Sequence, residues 1–169
     1  MNWMPPIPPW NGCHVLVVHF PIALLLVAPL FILLGLVVPR LNRAFYLAGL
    51  LLMALGACGA ILAVEAGEAA ALLVQPTPEI SRVLLHHANL GETTRNVFSG
   101  LAVVLLLIFV VQNRLTRRLG RGRVAVLYGV FLLGYLANIL FLVQTADLGG
   151  RLVHQYGIRA HVAAQAPSP

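Results

Sequence analysis

The strongest constraint on this chain is a set of four apolar runs, at residues 15–38, 44–64, 97–111 and 124–143, each closed by a cluster of Arg, Glu, Asp, Pro or Gly. A helix needs roughly 20 apolar residues to cross about 30 Å of hydrocarbon. The sequence therefore predicts an all-α fold, an integral membrane four-helix bundle with spans at about 14–38, 44–64, 90–112 and 124–146. Hydrophobic residues make up 60% of the chain and charged residues 9%, a balance that excludes an ordinary soluble domain. Residues 1–169 read as a single membrane domain. No Lys or Arg precedes the first run, and it exceeds the roughly 7–15 residues of a signal-peptide core, so it is expected to stay in the mature protein.

All 11 basic residues are Arg. Arg40, Arg43, Arg114, Arg117, Arg118, Arg121 and Arg123 fall in the connections after spans one and three, whereas Arg82, Arg95, Arg151 and Arg159 fall on the opposite side. The excess of Arg in cytoplasmic connections puts both termini on the outer side. For the same reason the Arg117–Arg123 cluster reads as a topology signal, and no nucleic-acid partner is expected. No CxxC or CxxCH occurs, which excludes covalent c-type haem, and Cys58 reads as a small packing residue within span two.

Residues 1–12 are rich in Pro and Trp and suit an outer segment lying at the interface, with Trp3 and Trp10 as aromatic anchors. Pro29, interior to span one, predicts a kink. Small residues in span two, Gly49, Gly56 and Gly59 among them, predict close helix contact. Thr77 and Pro78 form an N-cap and first-turn signal well before the third apolar run, so span three is expected to be a long helix whose first turns project from the membrane. Gly149 and Gly150 are expected to stop the last helix, leaving residues 147–169 as an outer tail.

His14, His19, His86, His87, His154 and His161 are far apart in sequence, yet this topology collects all six at the outer face. At about 1.5 Å per residue, His19 lies near the outer edge of the hydrocarbon and His87 about 9 Å beyond it. Glu65, Glu68, Glu79, Glu92 and Asp147 share that half. Neutral imidazole is a common axial ligand of b-type haem, and four-helix bundles hold cofactors between facing side chains. The candidate ligands are His14, His19, His87 and His154, with His86 and His161 as alternates. His14 and His19 are about 140° apart around a helix, which suits two different centres rather than one. Copper or zinc competes for such a set, but no HExxH or HxxxH motif is present. Glu65 or Glu68 could serve as a proton acceptor for quinone.

The segments HVLVVHFPIALLL at residues 14–26 and GGRLVHQYGI at residues 149–158, with an outer His near the start of span three, resemble a family of small four-helix bacterial membrane domains of unassigned function. The resemblance spans nearly the whole chain. Relatives of this pattern open on HP-x-x-VHFPIAL and close on GG-x-LV; some are fused to planctomycete-type cytochrome c domains. This chain has Val15 where the pattern has Pro. The resemblance implies His14, His19, His87 and His154 as recurrent polar positions and electron-transfer company; with the termini set outside by the Arg distribution, the expected location is the bacterial inner membrane with periplasmic termini.

Together these features lead us to expect an electron-transfer subunit of a larger redox complex, with one or two b-type haems near the outer face. Cytochrome c or an outer redox enzyme, and quinone, are the partners that this role implies. The alternatives are a non-redox structural or assembly subunit and a copper or zinc site. No recognisable nucleophile or general-acid arrangement points to an enzyme acting alone.

Overall fold

The computed structural model describes residues 9–75 and 77–158 and is helical throughout its regular structure. A single 3-10 turn at Trp10–Gly12 leads into α1 (Cys13–Val17), followed by α2 (His19–Val37), α3 (Asn42–Ala71), α4 (Pro78–Leu119) and α5 (Arg121–His154). Among the described residues four helical stretches are long and apolar enough to cross a membrane: Trp10–Val37, Asn42–Ala71, Pro78–Leu119 and Arg121–His154. Trp3, Arg159 and His161 lie outside the described residues.

The helices run alternately up and down. α2 packs on α3, α3 on α4, α4 on α5 and α5 back on α2, while across the diagonal the helix backbones stay apart and only long side chains such as Tyr46 of α3 and Tyr128 of α5 meet. This closed square buries Leu25, Ile32, Met53, Phe98, Leu105, Tyr128 and Tyr135 completely. Outside, Leu30, Leu51, Val110 and Leu133 are among many large apolar side chains left exposed. In water such a surface would drive aggregation; in a bilayer it faces lipid, which is why these helices are apolar nearly all round.

The two prolines of the first span have separate consequences. Pro21 has no N–H to offer the Val17 carbonyl, and the helix is interrupted at Val18, dividing α1 from α2. Pro29 likewise cannot serve the Leu25 carbonyl. The Tyr135 hydroxyl of α5 donates to that carbonyl instead, at 2.6 Å, so a neighbouring helix satisfies the backbone group that proline released. Replacing Tyr135 by Phe is expected to lower stability by about 0.6–1.7 kcal/mol, the range for hydrogen bonds between membrane helices. Thermal unfolding of the purified variant in mild detergent measures this loss.

Glycines set the close α2–α3 contact. A Cβ on Gly56 would lie 2.8 Å from Leu25, and one on Gly59 would lie 3.2 Å from Pro21. Cys58, between them, is exposed on the outer surface rather than packed inside. At the arginine-rich end, Tyr46 stacks on Tyr128 with ring centroids 3.6 Å apart, and Tyr128 donates to Gln112 at 2.8 Å. Gly120 closes α4 at φ 84°, a conformation that lets α5 begin one residue later.

α4 opens as its sequence predicts. Thr77 Oγ1 accepts from the Ile80 N–H at 3.3 Å, and Pro78 occupies the first turn. With 42 residues the helix is about 60 Å long, twice the hydrocarbon thickness. Arg95 pairs with Glu65 at 3.8 Å, and Thr94 bonds Thr145 at 3.0 Å, forming a polar layer between α3, α4 and α5. The apolar part of α4 runs from this layer toward the arginine end. Its first turns, including His86 and His87, lie beyond the layer at the opposite, histidine-bearing end.

Candidate histidine site

At this end two imidazoles meet. His14, from α1, and His87, from α4, have ring centroids 6.4 Å apart and planes at 88°. Among the described residues they are the histidine rings in mutual contact. Each is anchored on a different neighbour. His14 Nδ1–H donates to the Ala63 carbonyl of α3 at 2.7 Å, and His87 Nδ1–H donates to the Thr145 carbonyl of α5 at 3.0 Å. A carbonyl can only accept, so each bond places the proton on Nδ1 and leaves the Nε2 lone pair available.

The anchoring has a repeated local design. Four residues after each accepting carbonyl stands a glycine: Gly67 after Ala63, and Gly149 after Thr145. These positions share a helix face. A Cβ on Gly67 would lie 3.0 Å from His14 Nδ1, and one on Gly149 would lie 3.1 Å from His87 Cε1. Each imidazole thus lies in a notch opened by the missing side chain. The helical pair α2–α3, led by α1, and the pair α4–α5 use the same construction, and the two rings meet where the pairs join.

This explains a departure from the sequence reading. Gly149 and Gly150 do not stop α5, which continues to His154. Gly149 is there for the approach of His87, not for a turn. Neither Gly67 nor the two carbonyls had been singled out from sequence; the only available signal was a small residue on the outer part of a helix facing a histidine-bearing one.

The remaining candidates are dispersed. His19 is exposed, its Nδ1 bonded to the Val15 carbonyl of the preceding turn at 3.0 Å. His154 is exposed at the end of α5. His86 is exposed and lines a groove between α4 and α5 with Leu90, Val143, Gln144, Asp147 and Leu148. Glu65 is held toward Arg95, and Glu68 is exposed.

The electrostatics of the site favour a neutral His87 ring. Burial, and next the proximity of His14, push the His87 imidazole below its ordinary pKa, with the Thr145 carbonyl opposing them. Because folding favours neutral His87, its contribution to stability is fully present above the ordinary histidine value of about 6.5 and is lost as pH falls through the lower folded value. Thermal unfolding is expected to be level from about pH 8 to about pH 7 and to weaken toward about pH 5. In His87→Asn that decline is expected to be shallower.

Two imidazoles sharing one metal ion through Nε2, with metal–nitrogen bonds of about 2 Å, have ring centroids roughly 6 Å apart. The observed 6.4 Å fits that separation. Among the described residues no three His, Cys, Asp or Glu side chains converge on a metal position.

The fold and this end of the bundle define a four-helix membrane protein with a carbonyl-anchored histidine pair. Residues 11–162 match the predicted membrane protein family DUF2231, and the chain belongs to that family. Comparison with curated proteins and with solved structures gives no match.

Proposed function

We propose that this protein is a membrane-embedded electron-transfer subunit that holds one b-type haem at its outer face, with His14 and His87 as the axial ligands. The observation that carries the reading is the pair itself: two neighbouring imidazoles, each with Nδ1 committed to a carbonyl, with ring centroids 6.4 Å apart, a separation compatible with two rings on one metal. A porphyrin supplies four nitrogens and needs two from the protein, whereas a bare copper or zinc ion of structural type needs three or four. The pair matches the first requirement.

When bound, the haem supplies a reversible one-electron centre. The chain's own residues would fix its ligands, the His14 ring at the level of Glu65 between the Ala63 carbonyl and Gly67 and the His87 ring between the Thr145 carbonyl and Gly149, and an outer cytochrome c or redox enzyme would approach from the histidine-bearing end. On this reading the protein belongs to a larger redox complex of the bacterial inner membrane, with the arginine-rich end in the cytoplasm and both termini in the periplasm. Quinone in the surrounding bilayer is the other natural electron-exchanging companion.

The test is a haem assay of the chain purified from haem-replete membranes. One b-type haem per chain, with a reduced-minus-oxidised spectrum of a six-coordinate centre, is expected. A stable, monodisperse protein with no haem absorbance would instead favour the structural or assembly role.

A further inference from the structure

We propose that the open groove between α4 and α5 binds the headgroup of a lipid-soluble quinone through His86 and Asp147. The inference rests on the redox reading above and assigns that reading's second partner to a place. The groove encloses about 450 Å³ and is lined by His86 and Leu90 of α4 and by Val143, Gln144, Asp147 and Leu148 of α5. That volume lies within the range of small-molecule sites, roughly 300–1,000 Å³.

Its chemistry is graded along the membrane normal. His86 and Asp147 lie at its outer part, and Leu90 and Val143 lie one helical turn nearer the hydrocarbon. A ligand with a polar ring and an apolar tail matches that order, the ring at the lip and the tail passing into lipid. Arg82 and Arg151 stand one turn farther out than His86 and Asp147, and no Arg is among the residues that line the groove itself. It offers instead an imidazole N–H and the Gln144 amide as donors, with the Asp147 carboxylate as an acceptor. Quinone carbonyls accept from the former; quinol hydroxyls donate to the latter. Leu90, Val143 and Leu148 supply apolar walls for a flat ring.

Position adds a separate argument. His86 immediately precedes His87, and Asp147 lies between Thr145, which accepts from His87, and Gly149, which makes room for it. The groove and the seat of His87 thus use adjacent residues of the same two helical segments, whereas His14 is held by α1 and α3. Glu65, by contrast, is turned to Arg95 and does not line the groove.

The experiment is photolabelling of the full chain in lipid nanodiscs with an azido-quinone carrying a short isoprenoid tail, mapped by peptide mass spectrometry. Saturable labelling within residues 86–90 and 143–148 is expected, competed by an unlabelled short-chain quinone. Loss of both polar partners in the His86→Ala, Asp147→Ala double variant is expected to weaken labelling about tenfold or more. Val143→Trp, which fills the groove without touching either polar residue, is expected to do the same. Non-saturable labelling, saturable labelling elsewhere (for example at the lipid-facing groove of Phe20, Leu55 and Cys58), or labelling unchanged in both variants would overturn the proposal. The same labelling on His14→Ala separates the two readings: groove labelling in a chain that never carries haem retains the quinone site and removes the haem, while a haem-loaded chain without groove labelling does the reverse.

Discussion

Substituting either member of the histidine pair, as His14→Ala or His87→Ala, is expected to remove the six-coordinate haem spectrum and lower the haem retained on purification by at least about tenfold. On the proposed reading each imidazole is one of only two protein ligands, and metal affinity falls by about 10–100-fold even when a group that merely supports a ligand is removed. His19→Ala and His154→Ala serve as internal contrasts. His19 is turned to its own helix backbone and His154 is exposed at the end of α5, so both variants are expected to keep the spectrum. Absorbance spectra of the four variants, normalised to protein, check the assignment. Equal loss in all four would point to an effect on assembly rather than on ligation.

Gly67→Leu and Gly149→Leu are expected to separate stability from binding. Each new side chain starts from a Cβ about 3 Å from an imidazole, so the ring has to leave its notch. Leucine is also the better helix former by up to about 1 kcal/mol, so the helix itself does not suffer. The expected result is retained helicity with haem affinity lowered about 10–100-fold, the scale for displaced support around a metal ligand. Gly129→Leu and Gly134→Leu are the matched controls, since a Cβ at either position meets nothing within 4 Å. Circular dichroism and haem titration of the four variants provide the comparison.

The architecture could be read from the chain because the bilayer imposes a simple rule: four apolar runs have to become four helices. Thr77 and Pro78 marked the early start of α4 through local chemistry, and the dispersion of Arg marked which ends belong together. The site was legible only in outline. The five histidines among the described residues fall at one end as topology requires, but the choice of His14 and His87 over His19 and His154 depends on which rings reach a notch on a neighbouring helix. That notch is made by a carbonyl and a glycine four residues later, on α3 or α5, dozens of positions away in sequence. Gly149 illustrates the difficulty. Beside Gly150 it has the composition of a helix stop, and only the approach of His87 reveals its use as space. Tyr135 is similar, since its bond to the Leu25 carbonyl follows from Pro29 but its identity as the donor requires the packed bundle.

The most direct measurement of the central claim is low-temperature electron paramagnetic resonance of the oxidised protein as purified. Two axial imidazoles with planes near the 88° of His14 and His87 give a strongly anisotropic low-spin ferric signal. That signal, lost in His14→Ala and in His87→Ala, is the result this account predicts. A high-spin ferric signal, or the absence of any ferric haem signal from folded protein, would contradict it.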